Sequence, residues 1–434
     1  MDPVGLRERL AKVATVLARG RVRSVTGLSL RALLPGARVG EVVRIHRAGS
    51  PLLGEIVGFD GDEAVILPLG TLAGVGPDDA VEALSRPLTV TASPALLGRV
   101  LDGLGRPVDG GAAIDEEAGA QVEVDRAPPP PLGRRPIDRP LATGVRALDA
   151  LLTLGEGQRV GLFAGSGVGK STLLGAIARG TEAEVVVVAL VGERGREVGE
   201  FLTHALGEAG RKRSVVVVAT SDAPALERLR AAQVATAIAE YFRDEGRRVM
   251  LLVDSVTRFA RAQREVGLAA GEPPARRGYP PSVFAMLPRL LERTGQGERG
   301  SITAIYTVLV EGGDMDEPIA DEVRGVLDGH VVMDRAIGAR GRYPAIDITV
   351  SLSRVMDQVV SPEHRAAARA LRALLGAYES KRDLITLGAY AKGSDPLVDR
   401  AVAKMPAIEA LLAQPPEHRE DFARTIAALI ALAR

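Results

Sequence analysis

The sequence predicts an α/β protein in three parts: a small N-terminal β-barrel, a central domain on a mainly parallel sheet, and a C-terminal α-helical domain. Three observations carry this prediction. From about residue 22 to 110 the chain breaks into short β-like segments separated by Gly, Pro and Asp-Gly turn signals. From 145 to 350, nearly uninterrupted β-branched and apolar runs, which strands buried on both faces require, alternate with helical periodicity. Beyond Glu363 the pattern is helical to the end of the sequence.

Taken in order, residues 3–19 read as an amphipathic helix. Leu6, Leu10, Val13 and Leu17 share a face, Asp2 and Pro3 resemble a cap and a first-turn Pro, and Gly20 resembles a stop. The first 40 residues hold eight Arg/Lys against two acids, so residues 1–20 are expected to form either a solvated helix on its own domain or a docking helix. Residues 21–110 are expected to form the barrel, with strands near Glu41–His46, Gly54–Phe59, Ala64–Pro68, Val81–Leu84 and Leu88–Thr91. Residues 111–135, acidic and then proline-rich at Pro128–Pro131, read as a linker. In the central part, 136–360, strands are expected at Arg159–Phe163, Val185–Val191, Val215–Thr220, Val249–Asp254 and Ile302–Val310. Helices fall between them at Lys170–Arg179, Glu197–Glu208, Ala223–Arg243 and Val256–Val266. Residues 361–434 form the helical part, broken near Gly393–Pro396 and Pro415–Pro416.

Composition excludes several function classes. The 434 residues suggest two or three domains, and 55 Lys+Arg against 55 Asp+Glu argue against a chain held to nucleic acid by bulk charge. The absence of Cys removes disulfide scaffolds, thiol nucleophiles and thiolate-bound metals. With no Trp, 7 Phe and 6 Tyr, base-stacking surfaces are scarce. The five His are scattered, with no pair at metal-ligand spacing. No apolar stretch is long enough to span a bilayer, and Arg7, Glu8, Arg9 and Lys12 interrupt any signal-peptide core, so a cytoplasmic protein is expected.

The chemistry begins at Ala164-Gly-Ser-Gly-Val-Gly-Lys170-Ser171, which follows a strand-like run and opens a helix. In G-x-x-x-x-G-K-[ST], inward-turned backbone N–H groups and a helix N-terminus cradle phosphates, the Lys reaches the β- and γ-phosphates, and the hydroxyl ligates Mg²⁺. Gly165, Ser166, Gly167, Val168, Gly169, Lys170, Ser171 and Thr172 are therefore the candidate nucleotide-binding residues. Ala164 replaces the first Gly, which is tolerable where the backbone lies in ordinary L-residue space. Asp254 ends a buried strand, where it either holds Mg²⁺ or caps the next helix. Glu193 and Glu197 follow another strand, in Gly192-Glu-Arg-Gly-Arg-Glu197. A carboxylate there points into the ligand crevice of a parallel sheet, which makes Glu193 the candidate to polarise water and Glu197 a neighbour of the metal's hydration shell. The competing reading pairs both on the surface with Arg194 and Arg196.

Several longer motifs stand beside these: Pro140-Leu-Ala-Thr-Gly-Val-Arg-Ala-Leu-Asp149, Gly278-Tyr-Pro-Pro-Ser-Val-Phe284, Tyr343-Pro-Ala-Ile-Asp347 and Leu97-Gly-Arg-Val-Leu-Asp-Gly-Leu-Gly-Arg-Pro107. Together with the phosphate loop and Val191–Glu197, and with Gly388-Ala-Tyr-Ala-Lys-Gly-Ser-Asp-Pro396 near the end, the sequence resembles the ATPases of flagellar and type III protein export. That family is itself similar to the catalytic subunit of rotary ATP synthases. The resemblance implies a P-loop (RecA-like) ATPase domain using ATP and Mg²⁺, with Lys170 and Ser171 on phosphate and metal and Glu193 as catalytic carboxylate. Arg194 and Arg258 match arginines near the γ-phosphate, Asp254 the metal-associated Asp, Tyr343 the ring stacked on adenine, and Arg354 an arginine finger supplied by a neighbouring subunit. Arg342 departs from the His expected before the Tyr-Pro-Ala segment.

The implied protein is a homohexameric ring coupling ATP hydrolysis to export-substrate unfolding and delivery. Its implied partners are regulatory or stator and stalk proteins, export substrates and chaperones, with a peripheral place on the cytoplasmic side of the inner membrane and no nucleic acid. Competing readings are a rotary or vacuolar-type catalytic subunit, a hexameric nucleic-acid motor, and a non-catalytic assembly protein. The carboxylate at Glu193 favours an active enzyme, since non-catalytic subunits of related rotary enzymes lack one there.

Overall fold

The computed structural model describes residues 18–115 and 117–434. The helix expected over 3–19 therefore lies outside the described residues, except that Arg19 and Gly20 do not end a helix but begin β1 (Arg19–Thr26). Gly20 is there for close approach: a β-carbon on it would sit 1.8 Å from the Leu33 carbonyl oxygen. Together with β2 (Ser29–Leu33), β3 (Val42–His46), β4 (Leu52–Asp60), β5 (Glu63–Pro68) and β6 (Ala80–Ala83) it closes a barrel in the order β1-β2-β5-β4-β3-β6. Alternate side chains such as Leu30 and Ala32, and Val43 and Ile45, fill its interior.

The next segments leave the barrel. β7 (Thr89–Ala92) pairs with β9 (Ala120–Glu123), a strand inside the stretch expected to be a linker. β8 (Val100–Asp102) runs parallel beside β14 (Ser214–Thr220) as the edge of the central sheet. A short ribbon of β10 (Pro140–Leu141) and β11 (Leu154–Gly155) leads into that sheet.

Its remaining strands are β12 (Arg159–Ala164), β13 (Val185–Glu193), β15 (Arg248–Asp254), β16 (Gly295–Gln296), β17 (Ser301–Leu309), β18 (Gly329–Met333) and β19 (Ile346–Ser353). The order is β19-β18-β12-β17-β15-β13-β14-β8, parallel except that β19 runs antiparallel to β18 and the short β16 to β17. Every residue of β13 is buried. Val185, Val187, Ala189 and Val191 enter the core on one face, and Val186, Val188 and Leu190 the core on the other, which is why Val185–Val191 is continuously apolar rather than alternating. Helices Lys170–Gly180, Ala225–Asp244 and Val256–Ala269 form close to where periodicity puts them. The single helix expected over Glu197–Glu208 is instead Gly195–Glu200, a π-helical turn Phe201–Leu206, and Gly207–Lys212.

Three capped helices end the chain: Pro362–Thr386, Pro396–Leu412 and Phe422–Ala433, with Ser361, Asp395 and Asp421 as their N-caps. Leu371, Ile408 and Leu429 share a core with Leu148 and Leu151, so the helical part is packed on the sheet domain rather than tethered to it. No described helix is long and apolar enough to cross a membrane.

One ion pair lies deep in the sheet domain's other core. Arg293 binds both Glu240 oxygens, at 3.0 and 2.8 Å, and the Val124 carbonyl at 2.7 Å, and both side chains are 2% exposed. Removing one partner strands a buried charge, so Arg293→Ala is expected to lower unfolding free energy by about 3–5 kcal/mol, read from the urea midpoint. Arg126 stands 3.7 Å from Glu240 and is the only other cation against it among the described ion pairs, too far to replace a bidentate contact.

Candidate nucleotide site

The phosphate loop leaves the C-terminal end of β12, which lies between the parallel strands β17 and β18. Ala164 is the last strand residue and fully buried, so the position usually given to Gly holds an extended backbone that Ala adopts without strain. Gly169 takes φ 88° at the cap of helix Lys170–Gly180, a conformation that turns the loop into the helix and that a side chain would resist. Val168 is buried and pins the loop to the core, while Ser166, Gly167, Ser171 and Thr172 are exposed and Gly165 and Gly169 half-buried. Arg335 donates to the Ser166 carbonyl at 3.0 Å and holds the loop's outer edge.

Neighbouring strands bring the carboxylates to the same place. Lys170 Nζ lies 2.5 Å from Asp254 Oδ1 and 3.5 Å from Glu193 Oε1. Asp254 is 2% exposed, and Thr307, on β17, donates to its Oδ1 at 2.7 Å. The next helix is capped by Ser255, whose side chain accepts from Arg258 N, so Asp254 faces the lysine instead of capping. Glu193 is buried at the end of β13 and is not a surface partner of Arg194. Arg258 donates to Glu193 Oε2 at 3.2 Å and to the Gly192 carbonyl at 2.5 Å. Burial first, then the negative charge of Asp254, push the Glu193 carboxyl up to about 7, against the opposing pull of Lys170 and Arg258.

Other candidates lie further out. Glu197 stands 3.6 Å from the exposed Arg194 and also hydrogen-bonds the Glu193 carboxyl, while Arg196 pairs with Glu200 at 3.1 Å. Tyr343 is 48% exposed and borders an apolar slot beside the phosphate loop, with Val145, Ala176, Pro415 and Pro416. Arg342, next to it, donates to the Ile346 carbonyl at 2.9 Å and stands 3.6 Å from Glu409. Arg354 is exposed just after β19, its N–H bonded to Asp328 O at 3.0 Å. Asp328 in turn donates to Arg159 O, so Arg354 is level with the N-terminal end of β12, about 17 Å along the strand from the phosphate loop at 3.3 Å per residue. The structure does not bring Arg354 to the site of its own chain.

Thr307 and the 414–418 wall of the slot are absent from the sequence-derived set. A hydroxyl near the C-terminal end of a buried strand is a readable signal for Thr307. Pro415 and Pro416 read only as a helix break, and nothing local ties them to Tyr343.

The chain is similar to known families and proteins along most of its length. Residues 144–353 match the ATP synthase alpha/beta family nucleotide-binding domain, and residues 360–431 match the T3SS EscN ATPase C-terminal domain. The chain is 52% identical to a type 3 secretion system ATPase of Xanthomonas euvesicatoria, covering 97% of this chain and 95% of that one. It is 50% identical to a flagellum-specific ATP synthase of Bacillus subtilis, covering 95% and 94%. The assembled ATPase EscN of the enteropathogenic E. coli type III secretion system superposes with a TM-score of 0.90 at 45% identity, over 96% of this chain and 100% of that one. EscN in complex with its central stalk EscO gives a TM-score of 0.88.

Proposed function

Because the chain belongs to the family of type 3 secretion system and flagellum-specific ATPases, and is an ATPase of protein export, we propose that it hydrolyses ATP at sites shared between copies of itself in a hexameric ring. The observation that carries this reading is the convergence of Lys170, Asp254, Glu193 and Arg258 on the crevice in front of the phosphate loop. In it, Lys170 and the loop N–H groups bind the β- and γ-phosphates, and Glu193 orients the attacking water and accepts its proton. Arg258 holds Glu193 in place.

The donor set suits Mg²⁺. Ser171, next to Lys170 in the first turn of helix Lys170–Gly180, and the Asp254 carboxylate that Lys170 meets both offer hard oxygen ligands. When bound, Mg²⁺ would neutralise charge on the phosphate oxygens. Glu197 stays at the rim as an outer neighbour, and Tyr343 offers a face for the base.

The remoteness of Arg354 from its own phosphate loop supports a finger acting on the next copy, and a head-to-tail contact of that kind closes into a ring. A stalk-type partner on this chain is proposed from its likeness to EscN, solved in complex with its central stalk EscO. Regulatory proteins, export substrates with their chaperones, and a peripheral cytoplasmic place at the inner membrane complete the reading by family. Specific ATPase activity is expected to rise with protein concentration, to vanish with EDTA and to return with Mg²⁺. Activity independent of concentration would overturn the shared site.

A further inference from the structure

Gln414 follows helix Pro396–Leu412 and is 6% exposed. Its backbone N–H donates to the Tyr343 carbonyl at 2.8 Å. Its side-chain Oε1 accepts from Arg146 N at 2.8 Å, and Nε2 donates to the carbonyls of Gly144 at 2.8 Å and His418 at 2.7 Å. A buried amide must be bonded somewhere, so saturation alone says little. What singles this one out is where the bonds go. The partners belong to the 144–146 loop, the Tyr343 loop and the 415–418 turn, which are three walls of the apolar slot, and they are remote from one another in the sequence.

The reference point is itself fixed. Asp149, fully buried, accepts from Thr143 N at 2.8 Å and Gly144 N at 3.0 Å, which anchors the backbone from which the Gly144 carbonyl projects. On the other side a β-carbon at Gly169 would lie 3.8 Å from the Tyr343 ring, which places that ring directly over the phosphate loop. The spacing between Tyr343 and Pro415–Pro416 is therefore set at Gln414, whose backbone N–H holds the Tyr343 loop and whose side chain ties that point to the 144–146 loop and the 415–418 turn.

We propose that Gln414 is a positioning residue for nucleotide binding: it fixes the spacing of the base slot, and through it nucleobase affinity depends on the seating of the helical part. The inference rests on the reading of Tyr343 as the base-stacking ring. Base–aromatic stacking is sensitive to spacing and contributes about 1–3 kcal/mol, so losing the spacing is expected to raise the ATP KM about tenfold. The phosphate loop is untouched, so kcat stays within about twofold.

The test compares Gln414→Ala, Tyr343→Ala and the double variant in the full-length chain, measuring ATP KM and kcat alongside competitive inhibition by magnesium pyrophosphate, which carries phosphates and no base. The expected result is a raised KM in both single variants, unchanged pyrophosphate inhibition, and a double variant no worse than Tyr343→Ala alone. Gln414→Glu, nearly isosteric but presenting an acceptor to two carbonyls, is measured in parallel and should also raise KM. It keeps the comparison available if the alanine variant does not fold. An unchanged KM in Gln414→Ala or Gln414→Glu with a raised one in Tyr343→Ala overturns the role of Gln414 only. So do additive effects, or an equal weakening of pyrophosphate. A silent Tyr343→Ala overturns the base slot itself, and the role of Gln414 with it.

Discussion

Glu193→Gln is expected to reduce kcat by about 10²–10⁴-fold, the range for a positioned general base, while ATP binding changes little. The substitution keeps the shape of the side chain and an oxygen that can accept from Arg258, and it removes the only function a neutral amide cannot perform, taking a proton. Burial and the Asp254 charge hold the Glu193 carboxyl near 7, so wild-type kcat/KM is expected to rise through about pH 7 as the group ionises, and the residual activity of the variant should lack that rise. The same environment disfavours the charged form in the folded state, so the variant should unfold at a temperature equal to or above that of wild type at pH 8. A kcat within threefold of wild type would mean that another group orients the water. Unfolding at a lower temperature would mean that the Arg258 contact is worth more than the burial cost.

The parts of this site that could be read from the sequence are those whose cause is local. A run such as Val185–Val191 has no polar residue to face water, so it must be a doubly covered strand, and a carboxylate just beyond its end must lie over the sheet's C-terminal crevice. That rule makes Glu193 and Asp254 candidates, as the loop spacing does Lys170, but by itself it leaves a surface pair open for Glu193 and a helix cap open for Asp254. What could not be read are consequences of pairing at a distance. Val100–Asp102 has the same local pattern as the barrel strands near it, and only its partner, β14, puts it in the central sheet. Gly20 has the signature of a helix stop, yet its reason is the Leu33 backbone pressed against it. Gln414 lies 71 residues beyond Tyr343 in the numbering and meets it only because the helical part folds back over the loop.

Arg354→Ala is expected to cost about 10³–10⁵ in kcat, as arginine fingers do, although in its own chain the residue is remote from every phosphate-binding group described above. A surface arginine with a purely local role would be nearly silent when truncated. The discriminating measurement mixes Arg354→Ala with Glu193→Gln at equal concentrations. Each variant alone supplies interfaces with one essential group missing. In mixed rings, about a quarter of the interfaces join an intact Glu193 on one copy to an intact Arg354 on the next, because the contact is head to tail and each copy contributes a different surface. Activity from two inactive parents can arise only if the two groups act across a boundary, since no single chain in the mixture carries both. If instead Arg354→Ala turns over like wild type, the charge of the transferred phosphoryl is met within one chain, where Lys170 and Arg258 are the cations already against Glu193.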